Sequence, residues 1–170
     1  MPFAQMNAYI VNGLPADVAA YLDPKSANFP NVADYYAPNN GYFNEDTIKG
    51  VMFQCLNAWI AGHENANHYL VRTEVQYPGF ENIADIWIVY DAGVQDVAAQ
   101  NIAIELKANF AAESVNQDIE LLDAMAGVQD PVFDNAYACY VVQQGHGGWT
   151  NYIDEPVAPD VASVGITVVF

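Results

Sequence analysis

Glu105 and Lys107 stand two residues apart in the run NIAIELKANF, and Asp85 stands upstream in IADIWIVYDAG. Residues two apart on a strand point to one face. Glu105 and Lys107 therefore share a face, and Ile102, Ile104, Leu106 and Ala108 share the other. If the two runs pair as a hairpin, Asp85 lies beside Glu105 near one end of the sheet. Two carboxylates with an ammonium alongside form a costly arrangement, because like charges repel and burial strips water from all three. A divalent cation offsets that cost. Mg²⁺ favours oxygen ligands and keeps several waters, and bound there it polarises a phosphoryl oxygen and lowers the pKa of a water. Lys107 is then placed to orient that water, help deprotonate it, or neutralise the charge that develops. Phosphodiester hydrolysis needs what such a trio offers.

The elements that would position this trio follow from periodicity. From Asn44, a plausible N-cap, Ile48, Val51, Met52, Cys55, Leu56 and Trp59 recur at three- and four-residue spacing, which predicts an amphipathic helix closing near Gly62. HYLVRTEVQYP, IADIWIVYDAG and NIAIELKANF read as three strands, the first stopped at Pro78-Gly79 and the second at Asp91-Ala92-Gly93. A second helix is expected from Ala112 to Ala126, with Val115, Ile119, Leu122 and Met125 inward and Gly127 just past its end. NAYACYVVQ and SVGITVVF read as two further strands. The order predicts an α/β fold with a mixed sheet flanked by helices. Residues 1–43 read as an N-terminal extension with one short helix, Pro15 to Leu22, and an irregular Pro-, Asn- and Tyr-rich stretch. Residues 44–170 read as the core of a single domain.

IAD at 83–85, IELK at 104–107 and the order αβββαβ resemble the PD-(D/E)xK nuclease superfamily, which includes many restriction and repair endonucleases. The resemblance covers residues 44–143 and implies a restriction-endonuclease-like core. It implies that Asp85 and Glu105 are ligands of Mg²⁺ or Mn²⁺, that the backbone carbonyl of Leu106 is a third ligand, and that Lys107 is the catalytic lysine. Members often carry an acid on the first core helix, where Glu45 fits, and a polar residue on the helix after the lysine strand, where Gln117 stands. Glu45 also suits the positive end of a helix dipole, and Gln117 also suits solvent or a cap. Ala84 replaces the proline that usually precedes the aspartate.

Charge sets a counterweight. The net charge is −17, from 21 acids and only four Lys plus Arg in 170 residues. Acids are near their usual share; bases are depleted. Phosphate contacts come mainly from Lys and Arg, so strong autonomous DNA binding is disfavoured. The expected partners are nucleic acid, DNA first, or a basic protein that supplies the phosphate contacts; a homo-oligomer is also open. The competing expectation is an inactive protein on the same scaffold, serving as an acidic structural, assembly or inhibitor component that mimics nucleic acid. Lys107 would then be a structural counter-ion.

Other features carry less. The opening MPFAQMNAYIVNG has no basic n-region and no run of about 18 apolar residues follows anywhere, so a cytoplasmic setting is expected, with virion association open. Cys55 and Cys139 fall in helix and strand interiors and suggest no disulfide framework. In GHENANH, His68 comes one residue too late after His63 and Glu64 for the zinc-protease pattern. His146 lies in a Gly-rich loop. Arg72 and Glu74 share a strand face and could pair with each other; alternatively Glu74 joins the acidic cluster.

Overall fold

The computed structural model describes residues 2–22, 45–108, 112–127, 132–144 and 161–169. Asn44, His146 and the Pro- and Asn-rich stretch lie outside them. Helices α1 (Pro2–Asn12), α2 (Leu14–Leu22) and α3 (Glu45–Ala61) precede strands β1 (Tyr69–Gln76), β2 (Ile83–Tyr90) and β3 (Gln100–Ala108). Helix α4 (Ala112–Ala126) leads to β4 (Asn135–Gln144) and β5 (Val161–Val169). The five strands lie in chain order: β1, β2 and β3 form an antiparallel meander, and β4 and β5 run parallel to β3.

Strand alternation builds two cores. Ile102, Ile104 and Leu106 turn to one face with Ile86, Ile88, Tyr137, Cys139 and Val141, where α1, α2 and α3 cover them. Ala103, Ala136 and Ala138 turn to the other, with Trp87, and Ile119, Leu122 and Met125 of α4 pack there. Three alanines on one sheet face leave room for α4 to lie close, so its large side chains fill the layer. The helix boundaries follow ordinary end chemistry: Glu45 and Asp46 occupy the first turn of α3, where negative charge meets the helix dipole. Gly127 donates its N–H to Asp123 at 3.0 Å just past α4.

The N-terminal residues are part of the core rather than an extension from it. Two helices form there rather than one. Met6, Ile10, Leu14, Val18 and Leu22 are fully buried members of the larger core. Phe3, Met6 and Ile10 recur at helical spacing, so the apolar stripe of α1 was present in the sequence. Asn7 Oδ1 accepts hydrogen bonds from Asn135 at 2.7 Å and from Tyr137 at 2.6 Å, tying α1 to β4. Both cysteines are buried and free. Among the described residues no helix is long and apolar enough to cross a membrane.

Candidate active site

The site forms where the pairing of β2 and β3 stops. Their ladder runs from Tyr90↔Gln100 to Ile86↔Ile104, and the next position would set Asp85 against Glu105. There Asp85 Oδ2 accepts the backbone N–H of Leu106 at 2.7 Å. A side chain of β2 has taken a β3 amide. The neighbouring β1 yields at the same level: Thr73↔Ile86 and Val75↔Ala84 are paired around Glu74, whose φ is 54°. A non-glycine residue seldom adopts that left-handed conformation.

The kink changes which way the strands face. Val71 and Ile86 belong to the core under α1–α3, whereas Val75 and Ala84, further along the same pair, pack in the core under α4. Strict alternation would have kept Val71 with Val75 and Ile86 with Ala84. Asp85 therefore sits at the crossover between the two layers. It reaches Lys49 of α3, whose Nζ is 3.2 Å from its Oδ1, while its charge also acts on Glu105, Lys107 and Asp118.

Glu105 is the buried charged side chain among the described residues, 6% exposed. Tyr77 donates its hydroxyl to Oε1 at 2.6 Å. Burial pushes the Glu105 carboxyl up, the Tyr77 hydrogen bond opposes this, Asp85 and Asp118 raise it further and Lys107 opposes them; the net is about 8. Tyr77 is pushed up in turn by burial and by Glu105. Burial thus favours the protonated form of the metal-free carboxyl.

Lys107, on the same strand face, pairs with Asp118 of α4 at 3.2 Å. Burial pulls the Lys107 ammonium down, but Asp118, Glu45 and Asp85 together outweigh it and the net is upward. Asp118 is raised by burial, against the pull of Lys107. Glu45, half-buried at the start of α3, adds its charge to both.

Asp85, Glu105, Lys107 and Glu45 are thus brought to one end of the sheet, as the motif spacing anticipates. Gln117 is not: it is exposed, and the α4 residue that enters the cluster is Asp118. The helix phase held that signal, since Asp118 lies three after Val115 and four before Leu122, on the inward stripe. Lys49 and Tyr77 were also missed. Lys49 follows Glu45 by four residues and so shares its side of α3; nothing local marks Tyr77, which reaches Glu105 only through the hairpin closed by Tyr77 N–H to Asn82 at 3.0 Å. Glu74 pairs with Lys49 rather than with Arg72, which brings it to the acidic cluster. His63 and His68 bond to the carbonyl oxygens of Trp59 and Asp91, away from each other.

Two of the chain's four Lys and Arg residues, Lys49 and Lys107, lie in this cluster. A chain depleted of bases has kept half of them against these acids. Among the described residues no three His, Cys, Asp or Glu side chains converge to hold a metal by themselves. Asp85 and Glu105 nevertheless fit a hard cation as a partial donor set. They supply carboxylate oxygen, the electrostatic strain on Glu105 is of the kind a cation relieves, and Mg²⁺ commonly takes one or two carboxylates and keeps waters. No family model, curated protein or solved structure matches the chain.

Proposed function

We propose that the chain is an Mg²⁺-dependent phosphodiesterase, an endonuclease that hydrolyses nucleic acid on a restriction-endonuclease-like core; Mn²⁺ could substitute. The observation that carries this reading is Asp85 set next to Glu105 at the opened end of β2 and β3, with Lys107 on the same strand as Glu105. The order of helix α3, an antiparallel meander, helix α4 and a strand parallel to β3 supports the same reading.

Asp85, Glu105 and the carbonyl of Leu106 would hold the ion, which when bound would polarise a phosphoryl oxygen and acidify a water. Asp118, 3.2 Å away, holds the Lys107 ammonium charged. In that state Lys107 donates hydrogen bonds, so its role is to orient the attacking water and to neutralise charge developing on the phosphate. Tyr77 fixes one oxygen of Glu105 and leaves its carboxylate in a single orientation. The remaining grip on a phosphate backbone comes from amides, Asn, Gln and Tyr, or from a basic protein partner. Incubation with single- and double-stranded DNA and RNA tests the proposal: cleavage requires Mg²⁺ or Mn²⁺ and disappears in Lys107→Ala. Cleavage unchanged in that variant would refute it.

One observation favours a second reading, an acidic assembly or inhibitor component without catalysis. Both lysines of the cluster are already paired with carboxylates, Lys107 with Asp118 and Lys49 with Asp85 and Glu74. An acid cluster that carries its own counter-ions can stand without metal. Calorimetry separates the readings, because the second predicts no heat of binding at millimolar Mg²⁺ or Mn²⁺.

A further inference from the structure

Lys49 occupies an unusual position. It comes from α3, on the face of the sheet opposite α4, yet its ammonium reaches Asp85 through the crossover and is bracketed by Glu74 and by Asp46, 3.5 Å away on its own helix. Its side chain is 13% exposed and that of Asp85 is 14%. With its Oδ2 committed to the Leu106 amide, Asp85 has Oδ1 left for a cation, and Lys49 is on it. An ammonium there stands where a divalent ion bound to Asp85 would draw its charge.

We infer that Lys49 is a tethered counter-cation that holds Asp85 in the metal-free protein and competes with the divalent ion for it. This rests on the metal-site reading above. Three acids surround Lys49, so it has somewhere to go: when Oδ1 is claimed, Glu74 and Asp46 retain the ammonium at the rim of the site. Glu74 is exposed and its backbone is held in the left-handed conformation that aims it at α3. Metal entry is then an exchange of cations on Asp85, and its affinity is set partly by how firmly Lys49 is held.

The test is calorimetric titration of Mn²⁺ and of Mg²⁺ into the full chain and three variants, with folding checked by circular dichroism. Lys49→Gln removes the competitor and is expected to tighten metal binding roughly tenfold, the factor that about 1.4 kcal/mol gives. Lys49→Arg keeps the charge and stays near the wild-type affinity. The double variant Lys49→Gln/Glu74→Gln has the net charge of the wild type, so a general field effect predicts wild-type affinity, whereas competition at Asp85 predicts that most of the gain survives. Equal or weaker binding in Lys49→Gln, with the wild type binding metal, overturns the exchange alone. A double variant back at wild-type affinity does the same. If none of the proteins binds metal, the metal-site reading falls and the exchange with it.

Discussion

Asp85 Oδ2 and the Leu106 amide are joined at 2.7 Å, one position beyond the last backbone pair of β2 and β3. This bond lets the strands part without leaving a buried N–H unpaired, a cost of about 1–3 kcal/mol. The opening it holds brings a carboxylate of β2 to the one on β3. The arrangement of the acid cluster depends on this substitution of side chain for backbone.

The first consequence is a pH dependence. The folded-state pKa of Glu105 is raised from its ordinary 4.5 to about 8, first by burial. A raised value means that the stability this group contributes is fully present below the unfolded pKa and is lost as pH rises through about 8. The metal-free protein is therefore expected to unfold at lower urea concentration at pH 9 than at pH 6, and Glu105→Gln to lose most of that difference. Urea midpoints across this range measure it.

Removing the Tyr77 hydroxyl shifts the same titration. Its hydrogen bond favours the charged carboxylate, so Tyr77→Phe moves the loss of stability to higher pH. It also costs roughly 1–3 kcal/mol at neutral pH, the usual range for a buried hydrogen bond whose partner is left behind. Metal binding, which needs the deprotonated form, is expected to require a higher pH in this variant. Titrations at pH 7 and 9 check the shift.

Lys107 and Asp118 make a partly buried pair, with side chains 27% and 15% exposed. Lys107→Gln leaves Asp118 without its counter-ion and is expected to destabilise the fold by roughly 1–3 kcal/mol. The double variant with Asp118→Asn recovers much of this, since no uncompensated charge remains. A double-mutant cycle in urea gives the coupling.

Much of the architecture was readable because its elements obey local rules. Ile102, Ile104 and Leu106 alternate with Ala103, Glu105 and Lys107 over a run long enough to fix both the strand and its faces. The meeting of Asp85 with Glu105 followed from hairpin logic, which the antiparallel pairing of β2 and β3 bears out. What escaped depends on contacts between elements. Alternation across Glu74 and Asp85 assigns Val75 and Ala84 to the wrong layer, because a left-handed residue resets the faces and no composition marks it. Gln117 and Asp118 are adjacent polar residues, and only helix phase separates the exposed one from the one at Lys107. The apolar stripe of α1 is short, and only its packing against the sheet shows that Met6 and Ile10 belong to the core.

That stripe has its own test. Leu14 is fully buried at the start of α2, among residues from α3 and the sheet. Leu14→Ala is expected to cost about 2–5 kcal/mol of stability, the range for a truncated core leucine. Chemical denaturation should show one transition at lower denaturant. An unchanged midpoint would mean that the N-terminal helices are an appendage rather than part of the core.

The central claim is that Asp85 and Glu105 share a divalent cation, and a crystal structure of the chain grown with Mn²⁺ near pH 8 tests it most directly through the anomalous signal of the metal. The account predicts one ion bound by both carboxylates at roughly 2.0–2.6 Å, with Lys49 withdrawn from Asp85 towards Glu74. Millimolar Mn²⁺ that leaves Lys49 on Asp85, with no metal between the two carboxylates, would contradict it.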